Sequence, residues 1–450
     1  MEFLEQNEAL RRRLSSYSEI DTDYWSFRGK AVREHAHAYF QYPAMMVPQM
    51  QGKLIQSIRE VSGDLKSVFD PFVGSGTIMT EAMMQGLDFI GQDINPLAVL
   101  LCRAKLGPFH ARALGNKITA LLERVQADQA FEVEANFPTL YKWFSQHVAI
   151  DLSRLKRAIR AEKSLWARRF FWVALAETVR LSSNSRISTF KLHIRDSNEL
   201  AERKVFAIQV FTDIISRNFE RFLEQKSKLE ERNLVRAGHY QGNISIKLKD
   251  SRRAQNSTDH HLHDFLITSP PYGDNGTTVP YGQHSFLPLH WIDLEDIDKT
   301  VTCDWLATSS EIDRRSLGGS LCDALNKFTL LQLQERSPSF KRTIDCLSSE
   351  PRDRAARVTA FCRDLDHCLR PILEVLKPNA YMLWTVGNRR VSGQLIPVDD
   401  ILSELLNTQG AELIHKIQRT IPTKRMAIKN RVASTMRAET ILIMRKSSVS

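Results

Sequence analysis

Paired cysteines are missing from this chain. Its six, Cys102, Cys303, Cys322, Cys346, Cys362 and Cys368, form no CxxC and no Cys/His spacing of a ligand set. That excludes a disulfide-stapled scaffold and a zinc-finger pattern, and it suits a reducing compartment. Cys362, His367 and Cys368 lie close together, but on one predicted helix, where they read as core and surface positions; no metal is expected. Long apolar runs are missing too. No stretch reaches the length of a membrane span, and Met1-Glu2-Phe3-Leu4-Glu5 lacks the apolar run of a secretion signal. The expectation is a soluble, cytoplasmic protein with no membrane partner. Internal repeats and low-complexity segments are also absent.

The sequence does have length and positive charge. Its 450 residues allow one domain with sizeable insertions, or two to three domains. The formal net charge of +10 favours a polyanionic partner, although many basic proteins bind nothing acidic. The excess is concentrated: residues 101–260 hold 29 Lys and Arg against 17 Asp and Glu.

Strand and helix signals alternate. Ser67–Asp70 predicts a short strand, Thr77–Gln85 a helix and Leu87–Asp93 a strand ending on an acid. Pro96 opens the next helix, since proline fits the first turn. Residues 109–240 then become long, charged and helical in pattern. Strands return at Ile244–Leu248 and Phe265–Thr268. Residues 273–350 carry the Gly, Thr, Ser and Asp clusters of loops and short helices. Ala355–Leu376 predicts a helix that Pro371 should kink or split. Ala380–Val386, Ala411–Arg419 and Glu439–Arg445 predict strands, with a helix over Asp399–Asn407. Such alternation predicts a mostly parallel α/β sheet. Three segments follow: 1–108 with the first half of the sheet, a helical basic insertion at 109–240, and 241–450 with the second half and a loop-rich insertion at 273–350.

Two motifs carry chemistry. Asp70-Pro71-Phe72-Val73-Gly74-Ser75-Gly76-Thr77 is a glycine turn between a strand and a helix, where the backbone can turn tightly and a ligand can approach without a Cβ in the way. Asp93 ends the next strand about twenty residues on, the spacing of a ribose-binding carboxylate. No GK[ST] follows the glycines, so no P-loop lysine is present for a triphosphate. The second motif, Thr268-Ser269-Pro270-Pro271-Tyr272, ends an apolar strand. Its two prolines restrict the backbone and remove two N–H donors, which frees carbonyls to accept hydrogen bonds.

The first motif resembles motif I of S-adenosylmethionine-dependent methyltransferases acting on amino groups. The second resembles motif IV of bacterial DNA amino-methyltransferases, (Asp/Asn/Ser)-Pro-Pro-(Tyr/Phe), whose Ser form is most typical of cytosine-N4 enzymes. Weaker likenesses are Tyr42–Pro48 to motif X, Lys249-Asp250-Ser251-Arg252 to motif III, Leu376–Asn388 to motifs V and VI, and Ile421–Met426 to a late loop beside the substrate. The resemblance implies a class I methyltransferase, a Rossmann-like seven-stranded sheet with a helical insertion. It implies S-adenosylmethionine as cofactor and double-stranded DNA as partner, with a companion restriction endonuclease in a restriction-modification or defence system. Asp70 would lie near the cofactor's methionine amino group, Asp93 at its ribose hydroxyls and Asp250 near its adenine. Tyr42, Pro43, Phe72, Gly74, Gly76 and Thr77 would complete that site. Ser269, Pro270, Pro271 and Tyr272 would form the catalytic corner. There an oxygen and a carbonyl accept the N–H bonds of a base amino group, and Tyr272 stacks on the extruded base.

The implied activity is methylation of cytosine N4 in DNA. Alternatives are adenine N6 methylation, tRNA guanine-N2 methylation and a non-catalytic DNA-binding subunit. The insertion departs from the usual family order. With 273–350 it either grips DNA or caps the sheet. Arg154, Lys156, Arg157 and Arg160 have the spacing of one helix face, directed at phosphates or simply solvated. His284 and His290 read as packing or loop residues.

Overall fold

A computed structural model describes residues 2–30, 33–253, 262–421 and 438–447. Seven strands form the main sheet: β1 (Ser67–Asp70), β2 (Asp88–Asp93), β3 (Ile244–Leu248), β4 (His263–Thr268), β5 (Leu376–Val386), β6 (Ala411–Thr420) and β7 (Ala438–Lys446). Their order is β6-β7-β5-β4-β1-β2-β3. β1 pairs in parallel with β2 and β4, β2 with β3, and β4 with β5, whereas β7 runs antiparallel to both its neighbours. The expected mostly parallel α/β sheet is therefore present.

Central strands buried on both faces need apolar residues at every position. Val68 and Phe69 of β1 and Phe265, Leu266 and Ile267 of β4 are all buried. Alternation along each strand divides them between two cores. Val68, Phe265 and Ile267 face one core, shared with Phe170, Phe171 and Phe211 of the 109–240 insertion. Phe69 and Leu266 face the other, built with Leu365, Leu369 and Ile372 of the helix Arg352–Val375 and with Leu402 and Leu406 of the helix Val398–Asn407.

The insertion is a helical layer on the sheet. Its long helices are Ala111–Ala127, Gln146–Arg160, Leu165–Ser182 and Ala207–Glu230. It is also tied to the chain beyond the Ser269–Tyr272 corner. Arg168 holds Asp296 through two bonds of 2.7 and 2.6 Å, and Trp172 Nε1 donates to the same carboxylate at 2.7 Å. The face expected to meet phosphates or solvent is used inside the protein instead. Arg157 pairs with Asp128 and Glu134, Arg160 with Glu134 and Asp293, Arg154 donates to the Ala130 carbonyl, and Lys156 is buried beside Asp293. The acids come from outside that helix, so its own periodicity could not reveal them.

Pro371 does not split its helix, which runs unbroken from Arg352 to Val375. β5 starts directly after it, earlier than predicted, and Pro378 falls inside the strand. The register shifts there: His263 faces Leu376, and Phe265 faces Tyr381. Extra residues on β5 form an irregularity in which a proline without a ladder hydrogen bond is tolerated.

Candidate active site

Strand order reverses beside β1, since the chain passes to β2 on one side and to β4 on the other. A crevice opens at the carboxyl ends of strands at such a point. The four strands place Asp70, Asp93, Asp250 and Ser269 at this edge.

The glycine turn is held from several sides. Gly74 N–H donates to Asp93 Oδ2 at 2.8 Å, and Asn95 N–H to Asp93 Oδ1 at 2.8 Å. Gly76 adopts a φ of +76°, and a Cβ there would lie 2.9 Å from Cys102 Sγ. Lys105 Nζ donates to the Ser75 carbonyl at 2.5 Å. Ser251, just past β3, donates to the Pro71 carbonyl at 2.6 Å and accepts from Gln92 Nε2 at 2.9 Å. These bonds spend protein groups on shaping a turn whose outer face is left to a ligand.

Asp70 is fully buried. Its Oδ1 accepts from Phe72 N–H at 3.0 Å and from Thr268 Oγ1 at 2.6 Å, which couples the glycine turn to the end of β4. Its Oδ2 has no hydrogen-bond partner among the described residues. Burial pushes the Asp70 carboxyl up to about 7 and that of Asp93 up to about 6, against opposing hydrogen bonds. A buried acceptor lacking a donor is the feature a ligand ammonium would satisfy.

One cleft joins the two motifs, with about 880 Å³ of empty space counting its open mouth. Tyr42, Pro43, Phe72, Gly74, Asp93 and Asp250 line it together with Ser269, Pro271 and Tyr272. Asp70, Gly76, Thr77 and Pro270 of the expected set lie behind that lining. Asp250 is fixed by Arg252, whose Nη2 lies 2.7 Å from its Oδ2 and which also reaches Asp364. Of the late loop beside the substrate, residues 422–426 lie outside the described residues.

The corner carries a directed hydrogen-bond chain. Ser269 Oγ donates to Tyr272 Oη at 3.3 Å, and Tyr272 Oη donates to Glu439 Oε1 at 3.0 Å. Glu439 Oε2 accepts from Arg419 Nε at 2.7 Å, the two residues facing each other across β6 and β7. Burial raises the Tyr272 phenol well above its usual range, which keeps it a donor. Arg389 lies against Gly273, where a Cβ would sit 2.4 Å from its Nη1, and donates to Thr277 Oγ1 at 3.0 Å. The turn after Tyr272 is thereby locked to the short strand Arg389–Val391 that follows β5.

Sequence reasoning missed several contributors. Tyr281 stacks on Tyr42 with centroids 5.7 Å apart, and Asn95 bonds the Tyr42 hydroxyl at 3.1 Å. Asn275, Arg315 and Leu317 of the 273–350 insertion also line the cleft. Asn95-Pro96 was readable as a helix cap; Glu439 and Arg419 had no local signal. His284 and His290 pack as expected. His284 Nε2 contacts the Gln41 carbonyl at 3.0 Å, His290 stacks on Phe137 at 4.1 Å, and burial lowers both to about 4.

Sheet order, the antiparallel β7 and a cleft at the ends of β1 and β4 define a methyltransferase of the class I fold. The chain belongs to the N4/N6 DNA methyltransferase family. The DNA methylase family profile matches residues 3–102. The type II methyltransferase M.MvaI of Kocuria varians is 31% identical over 461 residues, covering 99% of each chain. The type II methyltransferase M.MjaII of Methanocaldococcus jannaschii is 26% identical over 124 residues, 28% of this chain and 23% of its own. The rRNA methyltransferase aviRa of Streptomyces viridochromogenes aligns with 90% of this chain and 86% of its own at 11% identity, with a TM-score of 0.28. No helix among the described residues is long and apolar enough to cross a membrane.

Proposed function

We propose that this DNA methyltransferase transfers a methyl group from S-adenosylmethionine to N4 of cytosine in double-stranded DNA. The observation that carries the reading is the single cleft lined by both the glycine turn and the Ser-Pro-Pro-Tyr corner. Asp93, which lines the cleft beside Gly74, fits the cofactor's ribose, and Asp70, behind the lining with an unpartnered Oδ2, takes its ammonium when the turn in front of it opens. When bound, the cofactor supplies an electrophilic methyl on a sulfonium.

The chain's own residues prepare the acceptor. A cytosine amino group is a poor nucleophile because its lone pair is delocalised into the ring. Ser269 sends its proton towards Tyr272, and Tyr272 sends its own towards Glu439. The Ser269 oxygen therefore presents lone pairs, which accept an N–H of the base and favour a pyramidal nitrogen aimed at the methyl. A backbone carbonyl of the Pro-Pro segment takes the second N–H. The Tyr272 ring, held at its hydroxyl, offers a face for the extruded base. The choice of cytosine rests on the Ser form of the corner.

DNA approaches across the cleft mouth in this reading, past the 273–350 insertion, whose Asn275, Arg315 and Leu317 line the cleft. A companion restriction endonuclease belongs to the same proposal. The test is methyl transfer from labelled cofactor to plasmid DNA, followed by nucleoside mass spectrometry. N4-methylcytosine, lost in Ser269→Ala, is the expected product. N6-methyladenine would overturn the base assignment, and label on tRNA alone would overturn the DNA substrate.

A further inference from the structure

Away from the cleft, two histidines and a carboxylate meet in the core. His35 and His37 lie on the short turn His35–Ala38, and Glu81 lies on the helix Thr77–Met84 that follows the glycine turn. His35 is 5% exposed and His37 1%. Their rings stand 4.8 Å apart, and His37 Nε2 lies 2.8 Å from Glu81 Oε1. One ligand atom from each of the three residues fits within a mutual separation of 4.8 Å. Nδ1 of both histidines has no hydrogen-bond partner among the described residues.

We propose that His35, His37 and Glu81 bind a divalent transition-metal ion, Zn²⁺ foremost, as a structural clamp. Two imidazoles and one carboxylate are ligands that zinc accepts, with a water completing four-coordination.

Such an ion relieves an unfavourable feature of this cluster. Buried ring nitrogens without partners cost about 1–3 kcal/mol each, and a metal takes a lone pair directly. Glu81 meets the histidine pair through its Oε1. Room for that carboxylate is provided by Gly52 in mid-helix, where a Cβ would lie 2.6 Å from Glu81 Oε2.

Nearby cations oppose an ion only in part. Lys228 is already paired with Glu34 and Glu224, and Arg232 donates to the Met84 carbonyl at 2.6 Å. Lys105 is committed to the Ser75 carbonyl, and burial lowers its ammonium to about 8. The clamp would fasten the segment leading to Tyr42 and Pro43, one wall of the cleft, to the helix that carries the glycine turn.

The test uses the full chain, purified without a metal-affinity tag. Zinc content is measured by elemental mass spectrometry. The chelator-stripped protein is then titrated with Co²⁺ and with Zn²⁺ against a chromophoric competitor. Expected are one zinc per chain, a tetrahedral Co²⁺ absorption band, and loss of affinity by roughly 10–100-fold or more in Glu81→Gln and His35→Gln. Glu81→Gln keeps the shape and a polar partner for His37, so near-ultraviolet circular dichroism confirms its fold. A melting temperature raised by Zn²⁺ in the parent and not in either variant is expected as well. A folded parent that takes up neither ion would overturn the proposal. So would binding that persists unchanged in both variants.

Discussion

Asp70 and Asp93 lie side by side at the edge of the sheet, and both are acids that burial resists ionising. The consequence for Asp70 has a definite sign. A carboxyl raised to about 7 in the folded state binds its proton more tightly there than in the unfolded chain. Its ionisation therefore removes stability as pH rises from about 4 to 7, and the loss is complete above 7. The cofactor-free parent should lose melting temperature over that window relative to Asp70→Asn, measured by thermal denaturation. If Asp70 takes the cofactor's ammonium as proposed, cofactor binding has the opposite dependence, because that partner requires the ionised form. Affinity measured by calorimetry should rise roughly tenfold from pH 6 to 8, and Asp70→Asn should flatten the profile. Glu439 accepts the far end of the hydrogen-bond chain that starts at Ser269. Glu439→Gln replaces an acceptor with a group that can donate to Tyr272 and leaves buried Arg419 without its counter-charge. Single-turnover methylation should slow by about 10–100-fold, while cofactor affinity stays within about twofold. Equal loss of both would mean that Glu439 only supports the fold.

At the scale of elements, the glycine turn was the most legible piece. Glycines after a short apolar strand, an acid one strand later and a proline-led helix are all local signals, and β1 and β3 were read to the residue. The requirement at Gly76 is steric as well as conformational. Gly76→Ala puts a Cβ against Cys102 and Met79 in a left-handed backbone. The conformational part costs about 1–2 kcal/mol, and the steric clash adds to it. Chemical denaturation should show a loss of about 2–3 kcal/mol, with cofactor binding weakened because the turn itself must move. The helix Arg352–Val375 was harder to read, since Pro371 is a local stop signal that tertiary packing overrides. Residues Leu365, Leu369 and Ile372 on both sides of the proline are buried in one core, so burial of a continuous apolar face outweighs one missing hydrogen bond.

For the whole molecule, the insertion is part of the methyltransferase core rather than an appended lobe. Its phenylalanines share a cluster with β1 and β4, and the Asp296 carboxylate receives three bonds from it. The helix Gln146–Arg160 carries a basic face that is consumed by Asp128, Glu134 and Asp293. The double variant Arg157→Gln, Arg160→Gln should therefore lower the melting temperature while the slope of log binding constant against log salt for DNA stays unchanged. A face that touched phosphates would lower that slope by nearly one for each phosphate-bound arginine replaced. The total charge of +10 was legible, but its disposition was not, because an arginine's partner is chosen by the approach of distant segments.

What the sequence determined by itself is whatever neighbouring residues enforce on one another: the strand–glycine–helix turn, the Pro-Pro corner, the strand and helix alternation, and through these the family. The tertiary structure alone decided which residues meet across strands and layers. Glu439 reaches Tyr272 from a sequence distance of 167 residues, Arg160 reaches Asp293 from 133, and His37 reaches Glu81 from 44. Local motifs are written by short-range sterics and hydrogen bonding. Such pairings exist only after burial of the apolar faces has set strand order and layer packing, and that burial is non-directional and leaves no short-range pattern naming the partners.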